Sequence, residues 1–278
     1  MYAGTTVTKN SGQLIGVHQR IDKVARRHFM PLLATGTFFP SNTAILHFEG
    51  NNGPDGVKRK SPSVDEPWHF IDPSKPEDVA VMAMIADHQH NLAVALKDNN
   101  QERAAFEAAW MAHAIVDGLT PAHHFPLADK IEELFGMPHH ERSSVREKNI
   151  IKGTNRRDTL SKNWQYWGKR GIFMNHFMYE FGVATAILGK GFGKIVIDQT
   201  DIDMLKKDGY EKLFNGLLKE VVALKTYEAY TEKGWTRKLA RSIRVDLVPL
   251  IIKGVVLGWY ESIIIKDNLR DNTESLSA

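Results

Sequence analysis

Residues 101–125, QERAAFEAAWMAHAIVDGLTPAHHF, decide the fold class. The first nineteen are rich in alanine and other strong helix formers, and Gly118 and Pro121 end the pattern, so a helix is predicted over 101–119. Just before it, residues 76–97 place apolar side chains at helical spacing, with Pro76 suited to the first turn. Two long helices joined by a short connection predict an all-α fold.

The rest of the chain extends this prediction in both directions. No segment alternates apolar and polar residues as a half-buried strand does, and residues 36–76 indicate a long irregular loop. We expect one domain over 1–278, with a catalytic helical core at about 15–190 and a C-terminal helical pair at about 200–268 packed on it. GKGFGK at 189–194 is the candidate seam. The further predicted helices are 18–28, 126–136, 160–188, 202–230 and 235–266.

Composition limits the kind of site the chain can build. The 278 residues are 42% hydrophobic and 25% charged, which is typical of a globular protein. There are no cysteines, so disulfides and thiolate metal sites are excluded, whereas twelve histidines are available. A tightly bound transition metal would therefore be held by imidazole nitrogen and carboxylate oxygen.

Two segments bear on whether the protein is secreted or inserted in a membrane. We expect no secretory signal at the N-terminus, because MYAGTTVTKNSGQLIGVHQR lacks an apolar run behind a basic start. Residues 247–265 approach the length of a membrane span, but Pro249, Lys253 and Glu261 interrupt them. They predict a buried or interfacial helix rather than a clear transmembrane span.

Charge is distributed unevenly along the chain. The net charge is +3, but residues 139–170 contain nine Lys or Arg against three acidic residues, a local +6, so the remainder sums to −3. This basic segment is most simply a solvated face. Capture of a phosphate group is the functional alternative.

The segment AHAIVDGLTPAHHF carries the sharpest chemical signal. His113 and Asp117 are four residues apart and so project from one helix face, and His123 lies just beyond the break at Pro121. Two side chains from a rigid helix and one from the next turn can converge on a metal ion. The structural alternative is a polar stripe that caps its own helix.

The pattern H-x3-D-x3-P-x-H resembles the central motif of the bacterial zinc phospholipases C and the related fungal single-strand-specific nucleases. Other pieces agree in order over about residues 15–185: His18 in GVHQRIDKVAR, His69 in WHFIDP, and Asp55 fourteen residues ahead of His69. The last piece is MNHFMYEFG, which contains His176 and Glu180 four apart.

The resemblance implies a zinc phospholipase C-like helical bundle with two or three zinc ions. Its first zinc site would use Asp55, His69, His113 and Asp117. Its second would use Asp117 and His18, and its third His123, His176 and Glu180. A carboxylate has two oxygens, so Asp117 can bridge two metals.

The implied activity is hydrolysis of a phosphodiester by zinc-bound hydroxide, with Asp55 as the candidate general base. The expected substrate is a phospholipid headgroup, and single-stranded nucleic acid is the alternative. Contact with a membrane surface is compatible with this, and no protein partner is implied. A metal-binding module without catalysis is the third interpretation. Members of the resembled family are usually secreted.

Two departures from the family pattern accompany the resemblance. Family members use the amino group and carbonyl of a processed N-terminal residue as ligands, whereas this chain begins seventeen residues before His18. His123 and His176 are 53 residues apart, so the basic segment must form an insertion.

Some assignments have rivals. Asp65 or Glu49 could replace Asp55, and His139 with His140 could replace His176. Trp68 is expected in the core or on the wall of the site. The histidines expected to be structural or exposed are His28, His47, His88 and His90, the last two because residues two apart do not share a helix face.

Overall fold

The structure, a computed structural model, describes residues 1–4, 16–62, 69–124 and 127–275. The predicted all-α class is confirmed: helices dominate these ranges, which contain no β-strand, and one isolated bridge pairs Ile71 with His124. Asp65 and Trp68 lie outside the described residues.

Thirteen α-helices follow one another within the described ranges. They are α1 (Val17–Phe29), α2 (Asn42–His47), α3 (Pro54–Lys60), α4 (Ala80–Lys97), α5 (Gln101–Gly118), α6 (Leu127–Phe135), α7 (Val145–Asn149), α8 (Arg156–Trp167), α9 (Ile172–Ile187), α10 (Gln199–Ala223), α11 (Thr226–Lys233), α12 (Arg237–Ser242) and α13 (Val248–Ser275).

Helix α13 runs through the core rather than lying on its outside. It packs against α1, α4, α5 and α10. Two glycines allow its close approach to α5, because a Cβ on Gly258 would lie 2.6 Å from Ile115 and one on Gly254 would lie 2.8 Å from Leu119. Trp259 is fully buried and donates its indole N–H to the carbonyl of Ala108 at 2.9 Å. The C-terminal helices thus support the helix that carries His113 and Asp117.

A π-helical turn, Ile243–Leu247, joins α12 to α13. Pro249, the second residue of α13, has no N–H to continue the helical ladder, which is a common reason for such a turn. The carbonyl of Arg244 instead accepts a hydrogen bond from Gly193 at 3.1 Å. By length and composition the stretch Arg237–Arg270 could cross a membrane, but 67% of its apolar window is buried inside the protein.

Several predicted boundaries differ from the structure. The helix predicted over 160–188 is interrupted between α8 and α9, where Gly171 donates to the carbonyl of Gly168 at 2.7 Å. The helix predicted over 202–230 is interrupted at Lys225, which has a left-handed φ of 49°, and α10 is kinked at Gly209. The loop predicted over 36–76 contains α2 and α3, whose first turns are favoured by the cap Ser41 and by Pro54.

Candidate metal centre

Helix α5 presents His113 and Asp117 on one buried face. The Nε2 atom of His113 lies 3.3 Å from Oδ2 of Asp117, and the two residues are only 4% and 2% exposed. The helix ends one residue later, and a short 3₁₀ turn, Pro121–His123, brings His123 back toward the same carboxylate at 3.7 Å. The sequence spacing of this motif therefore corresponds to a real convergence of side chains.

Helix α1 contributes His18 from its first turn. Its ring stacks on that of His113, with centroids 3.9 Å apart and planes 8° apart. The Nε2 atom of His18 lies 3.3 Å from Oδ1 of Asp117. Together the ligand atoms of His18, His113 and Asp117 lie within 4.8 Å of one another, which is close enough for one metal ion to contact all three.

The backbone of Met1 completes this group, although sequence reasoning did not include it. Its amine contacts Oδ1 of Asp117 and lies 3.3 Å from Oε1 of Glu180, and its carbonyl oxygen lies 2.7 Å from Nε2 of His18. Burial disfavours the charged amine, but Asp117 and Glu180 outweigh burial and raise its pKa to about 10. The seventeen residues before His18 thus do not keep the chain terminus away from the site.

A second group joins His123, His176 and Glu180, whose ligand atoms also lie within 4.8 Å of one another. Oε1 of Glu180 lies 2.7 Å from Nε2 of His123 and 3.1 Å from Nε2 of His176. The Nδ1 atoms of both rings face backbone carbonyls, of His69 and of Ala122, each at 3.1 Å. Backbone contacts at Nδ1 orient the rings and leave Nε2 for a metal ion.

The pKa directions show that Asp117 and Glu180 are kept ionised. Burial alone would raise the pKa of Asp117, but His123, the Met1 amine, His113 and His18 hold it well below its usual range. The Met1 amine and His176 do the same for Glu180. Burial lowers the pKa of His123 to about 4, so its imidazole is neutral at pH 7, the form that binds a metal.

Asp55 and His69 lie on the open side of the group formed by His18, His113 and Asp117. Oδ1 of Asp55, on α3, is 3.7 Å from Nε2 of His113. His69 and Asp55 line the same small cavity as His113 and Asp117, with a volume of about 20 Å³, which is room for about one water molecule. However, Nε2 of His69 is engaged at 2.5 Å by the ammonium group of Lys58, so Lys58 has to move before this ring can bind a metal.

The rival residues lie elsewhere. Glu49 is fully buried, and its Oε2 lies 3.4 Å from Nδ1 of His113, behind that ring rather than in the position of Asp55. His139 faces Glu132 at 3.3 Å, and His140 is exposed. The structure therefore brings His176, rather than His139 or His140, to Glu180 and His123.

Glu49 has a second buried carboxyl beside it. Asp22 is 1% exposed, and neither of its oxygens has a hydrogen-bond partner among the described residues. Burial, followed by the negative charge of Glu49, raises the pKa of Asp22 well above its usual range. Glu49 lies on the Nδ1 side of His113, the position from which carboxylates orient metal-bound histidines.

The basic segment is largely a solvated surface with two anchoring residues. Arg142 is buried over the ring of Phe135, with its guanidinium carbon 4.6 Å from the ring centroid. Lys148 donates to the carbonyl of Lys58 and, at 2.9 Å, to that of Ser61. The exposed members of the segment are Arg146, Lys152, Arg156, Arg157, Lys169 and Arg170.

Of the histidines expected to be structural or exposed, His90 and His47 are exposed and His28 is half-buried. His88 differs from them, because it lines the cavity shared by Asp55, His69, His113 and Asp117.

Comparison of the chain with protein-family models, with curated proteins and with solved structures found no match.

Proposed function

We propose that the chain is a zinc-dependent phosphodiester hydrolase resembling the zinc phospholipases C. The observation that carries the proposal is the convergence on one buried carboxylate, Asp117, of three imidazoles and the Met1 amine. A second His–His–Glu group lies directly beside it, since Glu180 also faces the Met1 amine. A cation held among them would occupy the imidazole lone pairs and compensate the buried charges of Asp117 and Glu180.

The donor set fits zinc. All candidate ligands are imidazole nitrogens, carboxylate oxygens or the backbone groups of Met1, and zinc accepts each of these. The first site would use Asp55, His69, His113 and Asp117. The second would use Asp117, His18, the carbonyl of Met1 and, once zinc displaces its proton, the amine of Met1, and the third His123, His176 and Glu180.

Zinc held there would lower the pKa of water and neutralise charge on the phosphoryl oxygens. The protein would supply the rest. Asp117 would serve the first two sites, and Asp55, whose side chain is 28% exposed, would orient water at the mouth of the cavity. Lys58, once released from His69, offers a cation to the phosphoryl group.

A metal-binding protein without hydrolytic activity is a second candidate, and the position of Lys58 favours it. An ammonium group 2.5 Å from Nε2 of His69 repels a metal ion and uses the lone pair that the first site needs. Under this alternative the chain would bind fewer metal ions and would turn over no substrate.

Elemental analysis combined with two hydrolysis assays tests the proposal. We expect two or three zinc ions per chain and zinc-dependent hydrolysis of phosphatidylcholine in mixed micelles or of single-stranded DNA, with chelation abolishing either activity. Phosphatidylcholine hydrolysis would identify a phospholipase, and DNA hydrolysis a nuclease. One zinc ion with no hydrolysis of either substrate would refute the hydrolase and support the metal-binding alternative. Asp87→Asn, at an exposed position on α4, is the matched control.

A further inference from the structure

A histidine–carboxylate pair lies in the wall of the candidate metal centre. Nδ1 of His88, on α4, lies 2.5 Å from Oε2 of Glu107, on α5. Glu107 is fully buried and also forms an ion pair with Arg103, one helical turn before it. Arg103 in turn lies over the ring of Phe106, 5.2 Å from its centroid. The carboxyl group of Glu107 is therefore contacted by an imidazole on one side and a guanidinium on the other.

The position of this pair links it to the metal centre. His88 lines the same small cavity as Asp55, His69, His113 and Asp117. Trp110 and Met84 form part of the wall beside it, and the centroids of the His88 and Trp110 rings are 6.2 Å apart. A water molecule held in this cavity beside the predicted zinc ligands would therefore share it with the His88 ring.

The contact with Glu107 decides which nitrogen of His88 is available. An ionised carboxylate accepts a hydrogen bond, so Nδ1 carries the proton and the lone pair of the neutral ring is on Nε2. Nε2 makes no hydrogen bond to the described residues. His88 also belongs to neither group of candidate ligands whose atoms lie within 4.8 Å in the described part of the chain. An imidazole that lines this cavity without belonging to either ligand group, and that has Nε2 without a hydrogen bond among the described residues, suits a proton acceptor.

We propose that His88 is the proton acceptor for the water that attacks the phosphodiester, with Glu107 and Arg103 as positioning residues. This inference rests on the proposed function and assigns the base to His88 in place of Asp55. The water oxygen forms a bond to phosphorus and the bond from phosphorus to the leaving oxygen breaks. The water proton passes to Nε2, and the leaving oxygen takes a proton from the resulting imidazolium, giving an alcohol and a phosphomonoester.

Kinetics of variants on the zinc-loaded protein test this role. His88→Gln should lower kcat by 10²–10⁴-fold on whichever substrate the unaltered protein hydrolyses, with KM and zinc content little changed. Glu107→Gln should also lower kcat, because it removes the charge that holds the ring. His90→Gln, on the same helix and exposed, is the control and should leave kcat unchanged. Added imidazole should partly restore His88→Gly, as it would for a lost base but not for lost packing.

A spectroscopic measurement adds a readout that does not depend on turnover. With ¹⁵N-labelled histidine in the zinc-loaded protein, the His88 ring should show the tautomer protonated on Nδ1, and inorganic phosphate should shift its Nε2 resonance. Protonation on Nε2, or no response to phosphate, would overturn the proposal.

The kinetic outcomes separate the two proposals. Full activity of His88→Gln in an active protein would refute the role of His88 alone. Absence of hydrolysis by the unaltered zinc-loaded protein would refute the proposed function and the role of His88 with it.

Discussion

Replacement of Asp117 by asparagine is the most informative single change, because this carboxylate contacts the Met1 amine and the rings of His18, His113 and His123. Asparagine has the same shape but no charge. The amine would then be buried with Glu180 as its remaining close carboxylate. Removing one partner from a buried ionic group destabilises a protein by about 3–5 kcal/mol.

The pKa of the Met1 amine gives an independent figure. Its rise from 8.0 to about 10 corresponds to about 3 kcal/mol at 1.36 kcal/mol per pKa unit, and Asp117 is its largest favourable contributor. Because this pKa is raised by folding, the contribution is fully present below pH 8 and is lost as the pH rises through 10. The Asp117→Asn variant should therefore be less stable than the unaltered protein at pH 7. Between pH 8 and 10 the stability of the unaltered protein should fall, whereas that of the variant should stay nearly constant.

Urea unfolding of the metal-free protein, followed by circular dichroism at several pH values, measures both effects. Zinc content after reconstitution should fall by at least one ion per chain, since the proposed first and second sites share Asp117. Asp87→Asn should change stability by less than about 0.5 kcal/mol. An Asp117→Asn protein with unchanged zinc content and unchanged stability would refute the assignment of Asp117 as the shared ligand.

Three further predictions concern residues around the site. Glu49→Gln should weaken zinc binding by about 10–100-fold without removing a ligand, because it alters the group behind His113, and competition with a chelator measures this. Burial lowers the pKa of His124 to about 4, so its contribution to stability, at most about 3 kcal/mol, is lost as the pH falls from 6.5 to 4. His124→Asn should make the curve of unfolding free energy against pH less steep over that range, while the similar contribution of His123 remains. Gly193→Ala should lower the stability by about 1–3 kcal/mol, because its Cβ would lie 2.3 Å from the backbone oxygen of Val245. Gly216→Ala, with nothing within 4 Å, should not, and thermal unfolding distinguishes the two.

The local geometry of the site could be predicted wherever a regular helix fixes it. His113 with Asp117, and His176 with Glu180, are each four apart, and their side chains meet as the helical repeat requires. His18 could be placed beside them through the family resemblance, because no local pattern links α1 to α5. The position of Met1 depends on a long stretch without a helical pattern, so no spacing rule predicted it.

Other features were missed because they depend on tertiary packing. Because residues two apart do not share a helix face, the sequence predicts no joint role for His88 and His90. It does not show that His88 by itself lines the cavity. Its partner Glu107 is 19 residues away on the next helix. The contact between Lys58 and His69 likewise joins α3 to a loop, and no sequence period relates the two.

Because α13 runs through the middle of the helical bundle, the N-terminal part of the chain is not expected to fold when it is expressed without it. Because Trp259 and Gly258 contact α5 directly, residues 15–190 would lose the inner support of the ligand-bearing helix if they were expressed alone. Shortening the protein at the glycine-rich connection near residue 190 would therefore yield an insoluble or molten fragment rather than an independently folded unit. The hydrogen bond from Gly193 to Arg244 fastens that same connection to the C-terminal helices, so the two parts should melt in a single transition.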